Sequence, residues 1–101
     1  MANLQTAERL EEKLVKDLQV TAAALQKVKV VAPQPSHLYD VAADYLRMAT
    51  DYYNDAQHFA ETGNLVDAFG AVNYAHGWLD AGARLGVFDV DGDYRLFTLL
   101  H

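Results

Sequence analysis

Between two long stretches of helical periodicity the chain offers only Thr62-Gly63-Asn64. Gly63 can take the left-handed conformation that ends a helix, and Asn64 can cap the next one. A connection this short forces its flanking helices to be antiparallel neighbours. Upstream, Ser36 is a good N-cap for a helix over residues 37–62. At about 100° per residue, Leu38, Val41, Ala42, Tyr45, Met48, Ala49, Tyr52, Ala56, Phe59 and Ala60 fall on one face of it. Asp40, Asp44, Asp51 and Asp55 flank the opposite side, with Arg47 and His58 beside them. Downstream, residues 65–85 form the next helix and Gly86 ends it. Its core stripe is Leu65, Ala68, Phe69, Val72, Ala75, Leu79 and Ala83.

The opposite side of this helix is unusual. Tyr74, Trp78 and Leu85 cluster where a surface helix should be polar, and Gly70, Gly77 and Ala81 line a third strip. A glycine inside a helix costs about 0.5–1 kcal/mol relative to alanine, so two of them predict close packing by another backbone. Three helices of one short chain do not cover such a surface. Either the C-terminal segment folds back over it or a second chain does.

Residues 3–27 read as an earlier helix, with Leu4, Ala7, Leu14, Leu18, Thr21, Leu25 and Val28 at alternating spacings of three and four, a seam that Glu11 interrupts between Ala7 and Leu14. Leu10, Val15 and Ala22 widen that seam. Residues 28–36 break it, because two prolines forbid simple continuation. They form a short linker, extended over residues 28–32. In the tail, residues 87–101, Asp91-Gly92 is a turn signal, and residues 94–100 are either a short strand or an extended segment laid on the bundle.

The chain has 101 residues, which suits one domain. Cys is absent, which removes disulfides and thiol catalysis. No apolar run approaches the ~18 residues of a membrane helix, and charge stands where a signal peptide would be apolar. A soluble cytoplasmic protein with no membrane partner is expected. The net charge of −6 argues against nucleic acid, whose phosphates need clustered Lys and Arg.

Four polar residues stand out for chemistry. Asn73, His76, Asp80 and Arg84 share one edge of the third helix, on the border of its core stripe. A His with an Asp one turn away can be held in one tautomer, as a general base or a ligand requires. The same group would equally tie the helix to its neighbours, since buried polar groups must be hydrogen-bonded whatever their role. No nucleophile stands beside them. Asp55-x-x-His58, with Asp51 before it, echoes half of a di-metal motif, but His58 points away from the core. Asp89, Asp91 and Asp93 alternate like the start of a calcium loop, yet Tyr94 replaces the required glycine and Leu100 the bidentate Glu. An acidic turn is the better reading. Arg95 and His101 have a spacing found in some small helical ribonucleases, without the helix or the basic balance that RNA would need. No metal and no cofactor is assigned.

Two segments carry a resemblance. Tyr52-Tyr53-Asn54-Asp55-Ala56, then Phe59, Gly63, Asn64 and Ala68-Phe69, precede Asn73-Tyr74-Ala75-His76-Gly77-Trp78-Leu79-Asp80-Ala81-Gly82. Arg84-Leu85-Gly86 and Arg95-Leu96-Phe97-Thr98 follow. Over roughly residues 40–98 the chain resembles the archaeal family called Domain of Unknown Function 357. The resemblance implies an up-and-down bundle of about three helices, an archaeal origin and a cytoplasmic location; it brings no activity. The chain resembles more loosely the small helical domains that accompany nucleotidyltransferases in toxin–antitoxin systems. The catalytic Arg and His of that group are not in place, so no nuclease role is carried over.

The expected fold is therefore all-α: an up-and-down three-helix bundle with antiparallel neighbours and a short C-terminal extended segment. The leading functional expectation is a non-enzymatic interaction or scaffold protein. It would form a homodimer, or bind another protein, through Gly70, Tyr74, Gly77, Trp78 and Ala81. The alternative is a small-ligand or metal site, catalytic or not, around Asn73, His76, Asp80 and Arg84. An RNA-processing helper comes third.

Overall fold

A computed structural model of the chain describes residues 4–100. Three helices carry the fold: α1 (Leu4–Lys27), α2 (His37–Glu61) and α3 (Leu65–Leu85). Two short strands, β1 (Lys29–Val30) and β2 (Phe88–Asp89), pair antiparallel, with Lys29 opposite Asp89 and Val30 opposite Phe88. Asn3, where the first helix was expected to begin, lies outside the described residues. The architecture is an all-α, up-and-down three-helix bundle. Buried Leu14 of α1 shares a cluster with Ala56 of α2 and Ala68 of α3, while Ala24 of α1 shares another with Ala42 of α2 and Leu79 of α3. Thus α1 and α3 run the same way and α2 runs against both.

The helix ends follow from local chemistry. The Ser36 hydroxyl oxygen accepts from the backbone N–H of Tyr39 at 3.0 Å, capping α2. At its other end the N–H of Gly63 (φ 80°) reaches Ala60 O at 3.2 Å and that of Asn64 reaches Phe59 O at 2.9 Å. This double bond pattern is a Schellman motif. It recurs after α3, where Gly86 (φ 89°) donates to Ala83 O at 3.2 Å and Val87 to Gly82 O at 3.1 Å. Asn64 differs from expectation. It occupies the N-cap position of α3 but makes no side-chain cap bond. Its amide nitrogen donates instead to the Thr62 hydroxyl at 3.2 Å, so the side chain serves the turn rather than the helix.

The α2/α3 interface is built on alanine. Ala42, Ala49 and Ala56, one heptad apart, are fully buried on α2, as are Ala68 and Ala75 on α3. Small residues at a helix contact let the axes approach closely. Leu79 and Val72 are the largest side chains completely removed from water, each contributing about 1.5–3 kcal/mol of burial. Three residues expected to face the core lie outside it: Leu38, Leu10 and Val15 are exposed. Leu38 sits in the first turn of α2, and Leu10 and Val15 flank the α1 seam rather than lie on it. The wheel also missed Ala24, Ala71 and Gly82, which are buried.

The tail departs from the sequence reading in its details. Its strand is Phe88–Asp89, not a stretch within residues 94–100, and it pairs with the extended linker. Val90 to Asp93 then turns through Asp91 (φ 56°) and Gly92 (φ 66°), closed by the bond from Asp93 N–H to Val90 O at 3.1 Å. A second turn follows, with Phe97 N–H donating to Asp93 O at 3.1 Å. Val87, Phe88, Val90 and Phe97 are buried with Ala24, Ala42 and Leu79. They close the end of the bundle where α1 and α3 finish and α2 begins.

Candidate functional site

The polar edge of α3 meets the tail. His76 is the central group. Its Nδ1 lies 3.0 Å from Thr21 Oγ1 of α1, and its Nε2 lies 2.6 Å from the Leu96 carbonyl oxygen. A carbonyl only accepts, so Nε2 carries the proton; in the neutral tautomer Nδ1 accepts the Thr21 hydroxyl proton. Asp80, one turn on, accepts the backbone N–H of Thr98 at 2.9 Å. Its oxygen is 3.7 Å from His76 Nε2, too far for a hydrogen bond. The two side chains thus grip the backbone on either side of Phe97, one donating before it and one accepting after it. The Phe97 ring is buried, with its centre 6.2 Å from the centre of the His76 ring. Arg84 continues the series with a long contact of 3.5 Å to Leu99 O.

Chemically this arrangement is a clamp on the chain's own tail. Both ring nitrogens of His76 are engaged, leaving none for a substrate proton or a metal. Asn73 stands apart: it is exposed, with no hydrogen bond to this network. It lines a cleft of about 190 Å³ with Asp17, Val20, Thr21, Val72 and His76. Ligand pockets usually run to about 300–1,000 Å³, and the Asp17 carboxylate there is bound by Lys13 at 3.3 Å. Thr21, the missing partner of His76, had a signal in the sequence. It is a hydroxyl between apolar seam positions Leu18 and Leu25, and a buried hydroxyl needs a partner on the facing helix.

The other acidic motifs are also placed. Asp51, Asp55 and His58 are all exposed on α2. Asp89 accepts the N–H of Asp91 at 2.9 Å, and Asp93 accepts those of Arg95 at 3.1 Å and Leu96 at 3.2 Å. These are turn-forming bonds typical of Asp. Lys27 approaches Asp91 at 3.6 Å and Asp93 at 4.0 Å. Among the described residues no three His, Cys, Asp or Glu side chains converge as a metal site would require. Of the Arg95 and His101 spacing set aside above, His101 lies outside the described residues.

The outer face of α3 is the second candidate. Gly70, Gly77 and Ala81 are exposed along it, and Tyr74 is 49% exposed. The packing expected around the two glycines is not made among the described residues: a Cβ at Gly70 or Gly77 would meet nothing within 4 Å. The glycine under a neighbour is Gly82, where a Cβ would overlap the Phe88 ring. Nor does the tail cover this face, since His76 and Asp80 hold it on another edge. Trp78 is half-buried, its ring edge-on to Tyr45 of α2 at 5.0 Å and 67°. Tyr74 bridges Trp78, at 5.9 Å, and Tyr52, at 4.5 Å. Part of the aromatic cluster is therefore covered by α2, while the small-residue strip stays open. The indole nitrogen of Trp78 is buried without a hydrogen-bond partner among the described residues.

Fold and site together define a small helical bundle whose most prominent polar cluster is bonded to its own tail and whose outer α3 strip is lined by small residues. Among the described residues no helix is long and apolar enough to cross a membrane. The family model described as "Protein of unknown function (DUF357)" matches residues 16–88, more than half of the chain, and the chain belongs to that family. The matched segment reaches further back than the resemblance read from the motifs, taking in the second half of α1, and it stops before the Arg95-Leu96-Phe97-Thr98 segment. No curated protein and no solved structure matched the chain.

Proposed function

We propose that this protein is a non-enzymatic interaction module that pairs with a second copy of itself through the outer face of α3. The observation that carries this reading is the open strip of Gly70, Gly77 and Ala81, with space above both glycines and Tyr74 standing half-exposed beside it. The strip continues to Val66, 85% exposed, and to Leu85, 53% exposed. Helix interiors lose stability at glycine, so an exposed glycine strip is a cost that close approach of a second helix would offset. Trp78 and Tyr74 supply the aromatic component typical of interface anchors. Against the alternative of a ligand or catalytic site at Asn73, His76, Asp80 and Arg84 stands the occupancy of three of these groups by the tail.

Sedimentation over a concentration series tests the proposal. A monomer–dimer equilibrium is expected, and Gly77→Glu should shift it toward monomer without lowering the thermal midpoint by more than a few degrees, because among the described residues no neighbour stands over Gly77. A chain that stays monomeric at all concentrations would remove the self-pairing reading.

A further inference from the structure

A groove opens between α2 and α3 at the end of the bundle near the Thr62–Asn64 turn. It encloses about 570 Å³ and is lined by Tyr52, Asp55 and Phe59 of α2 and by Asp67, Gly70 and Tyr74 of α3, among others. That volume lies in the range of binding grooves, about 300–1,000 Å³. The Tyr52 and Tyr74 rings meet edge to face there, with centres 4.5 Å apart and planes at 87°. Gly70 contributes no side chain, and the space above it is open.

The charges of this groove have one sign. Asp55 and Asp67 are exposed at its rim, and no Lys, Arg or His lines it. Neither carboxylate makes an ion pair or a side-chain hydrogen bond among the described residues; other acids of the chain, such as Asp17, Asp44, Asp91 and Asp93, lie against a Lys or Arg. Asp67 lies in the first turn of α3, where the helix dipole tolerates it. Asp55, far along α2, has no such support. A neutral or acidic apolar segment seated here would strip water from two unpaired carboxylates, at a cost. A lysine side chain would not. Its methylene stem can lie on the aromatic walls while the ammonium faces the tyrosine rings and the carboxylates.

We propose that this groove receives a lysine side chain presented by a protein partner. The inference rests on the reading of the outer face of α3 as a docking surface, and it names the chemistry that one end of that surface selects. The probe is n-butylammonium, the lysine side chain alone, with butan-1-ol as its neutral counterpart, followed by amide chemical shifts in the intact protein. Saturable shifts confined to residues lining the groove are expected, with butan-1-ol about tenfold weaker. The double variant Asp55→Asn and Asp67→Asn should weaken n-butylammonium by at least about fivefold, and its unchanged thermal midpoint would show that the fold is kept. Tyr74→Ala gives a second, uncharged disruption of the same wall and should also weaken binding. Equal binding of the alcohol and the ammonium, shifts spread over all surface acids, or no saturation up to about 100 mM would overturn the proposal. Sedimentation of the same samples separates this from self-pairing. A monomeric chain that binds n-butylammonium keeps the groove and loses the dimer, and a dimeric chain that ignores it does the reverse. Dissociation of the dimer by n-butylammonium would support the groove and make the second copy the donor of the lysine.

Discussion

Along α3, His76, Asp80 and Arg84 run down one side and Gly70, Tyr74, Gly77 and Ala81 down another. In the sequence both sets look like sites. In the fold the first set holds residues 96–99 of its own chain, while the second faces open space. Hydrogen-bonding groups at a core border are soon claimed by any backbone that passes, because leaving them unpaired costs about 1–3 kcal/mol each. Small apolar residues carry no such demand, and so they can stay uncovered with no polar group left unpaired. Functional candidates on a short helical chain are therefore better sought where nothing of the chain itself arrives.

That contrast can be broken at several points. The largest effect is expected at the tail. Phe97→Ala should cost about 3–5 kcal/mol in urea unfolding, because the ring is buried in the core and the backbone on either side of it is held by His76 and Asp80. Tyr74→Ala on the open side should cost clearly less, and equal losses would erase the distinction between the two edges. Gly82→Ala comes next, with a loss of about 1–3 kcal/mol, since the new methyl overlaps the Phe88 ring. Removing the hydroxyl in Thr21→Val should lower stability by about 1–2 kcal/mol, and the His76 ring resonances should show the loss of the Nδ1 partner. Gly70→Ala and Gly77→Ala should move the other way, stabilising the monomer by about 0.5–1 kcal/mol, as read by thermal denaturation at low concentration. Destabilisation by both would mean that something already packs there. The smallest change is expected for Asp80→Asn, under about 1 kcal/mol. The amide oxygen can still accept from Thr98, and hydrogen exchange at that amide should stay slow.

Much of the fold was legible because it depends on local rules. Gly63 and Gly86 end their helices in the left-handed conformation, Ser36 caps α2, and Asp91-Gly92 turns the tail. Each of these is a property of a few adjacent residues. The alanine column of α2 follows from periodicity in the same way. The site was legible only in part. Periodicity placed His76 and Asp80 together on one edge and offered each as the other's partner, whereas the fold bonds His76 to Thr21 and Leu96 and Asp80 to Thr98. Thr21 was read as one more seam position, 55 residues away from the His it serves. Gly70 and Gly77 drew attention as helix glycines, while Gly82 did not, although it alone of the three lies under a ring.

The sequence by itself determined three helices, their ends and the antiparallel pairing across Thr62–Asn64, since backbone preference and the period of burial act over a few residues at a time. Only the tertiary structure decided which edge of α3 the tail would take. That choice depends on the buried position of Phe97 and on a backbone carbonyl and N–H arriving at His76 and Asp80. Contacts between segments so far apart in the chain leave no periodic trace. The same choice left the strip from Gly70 to Ala81 and the acidic aromatic groove beside it facing outward.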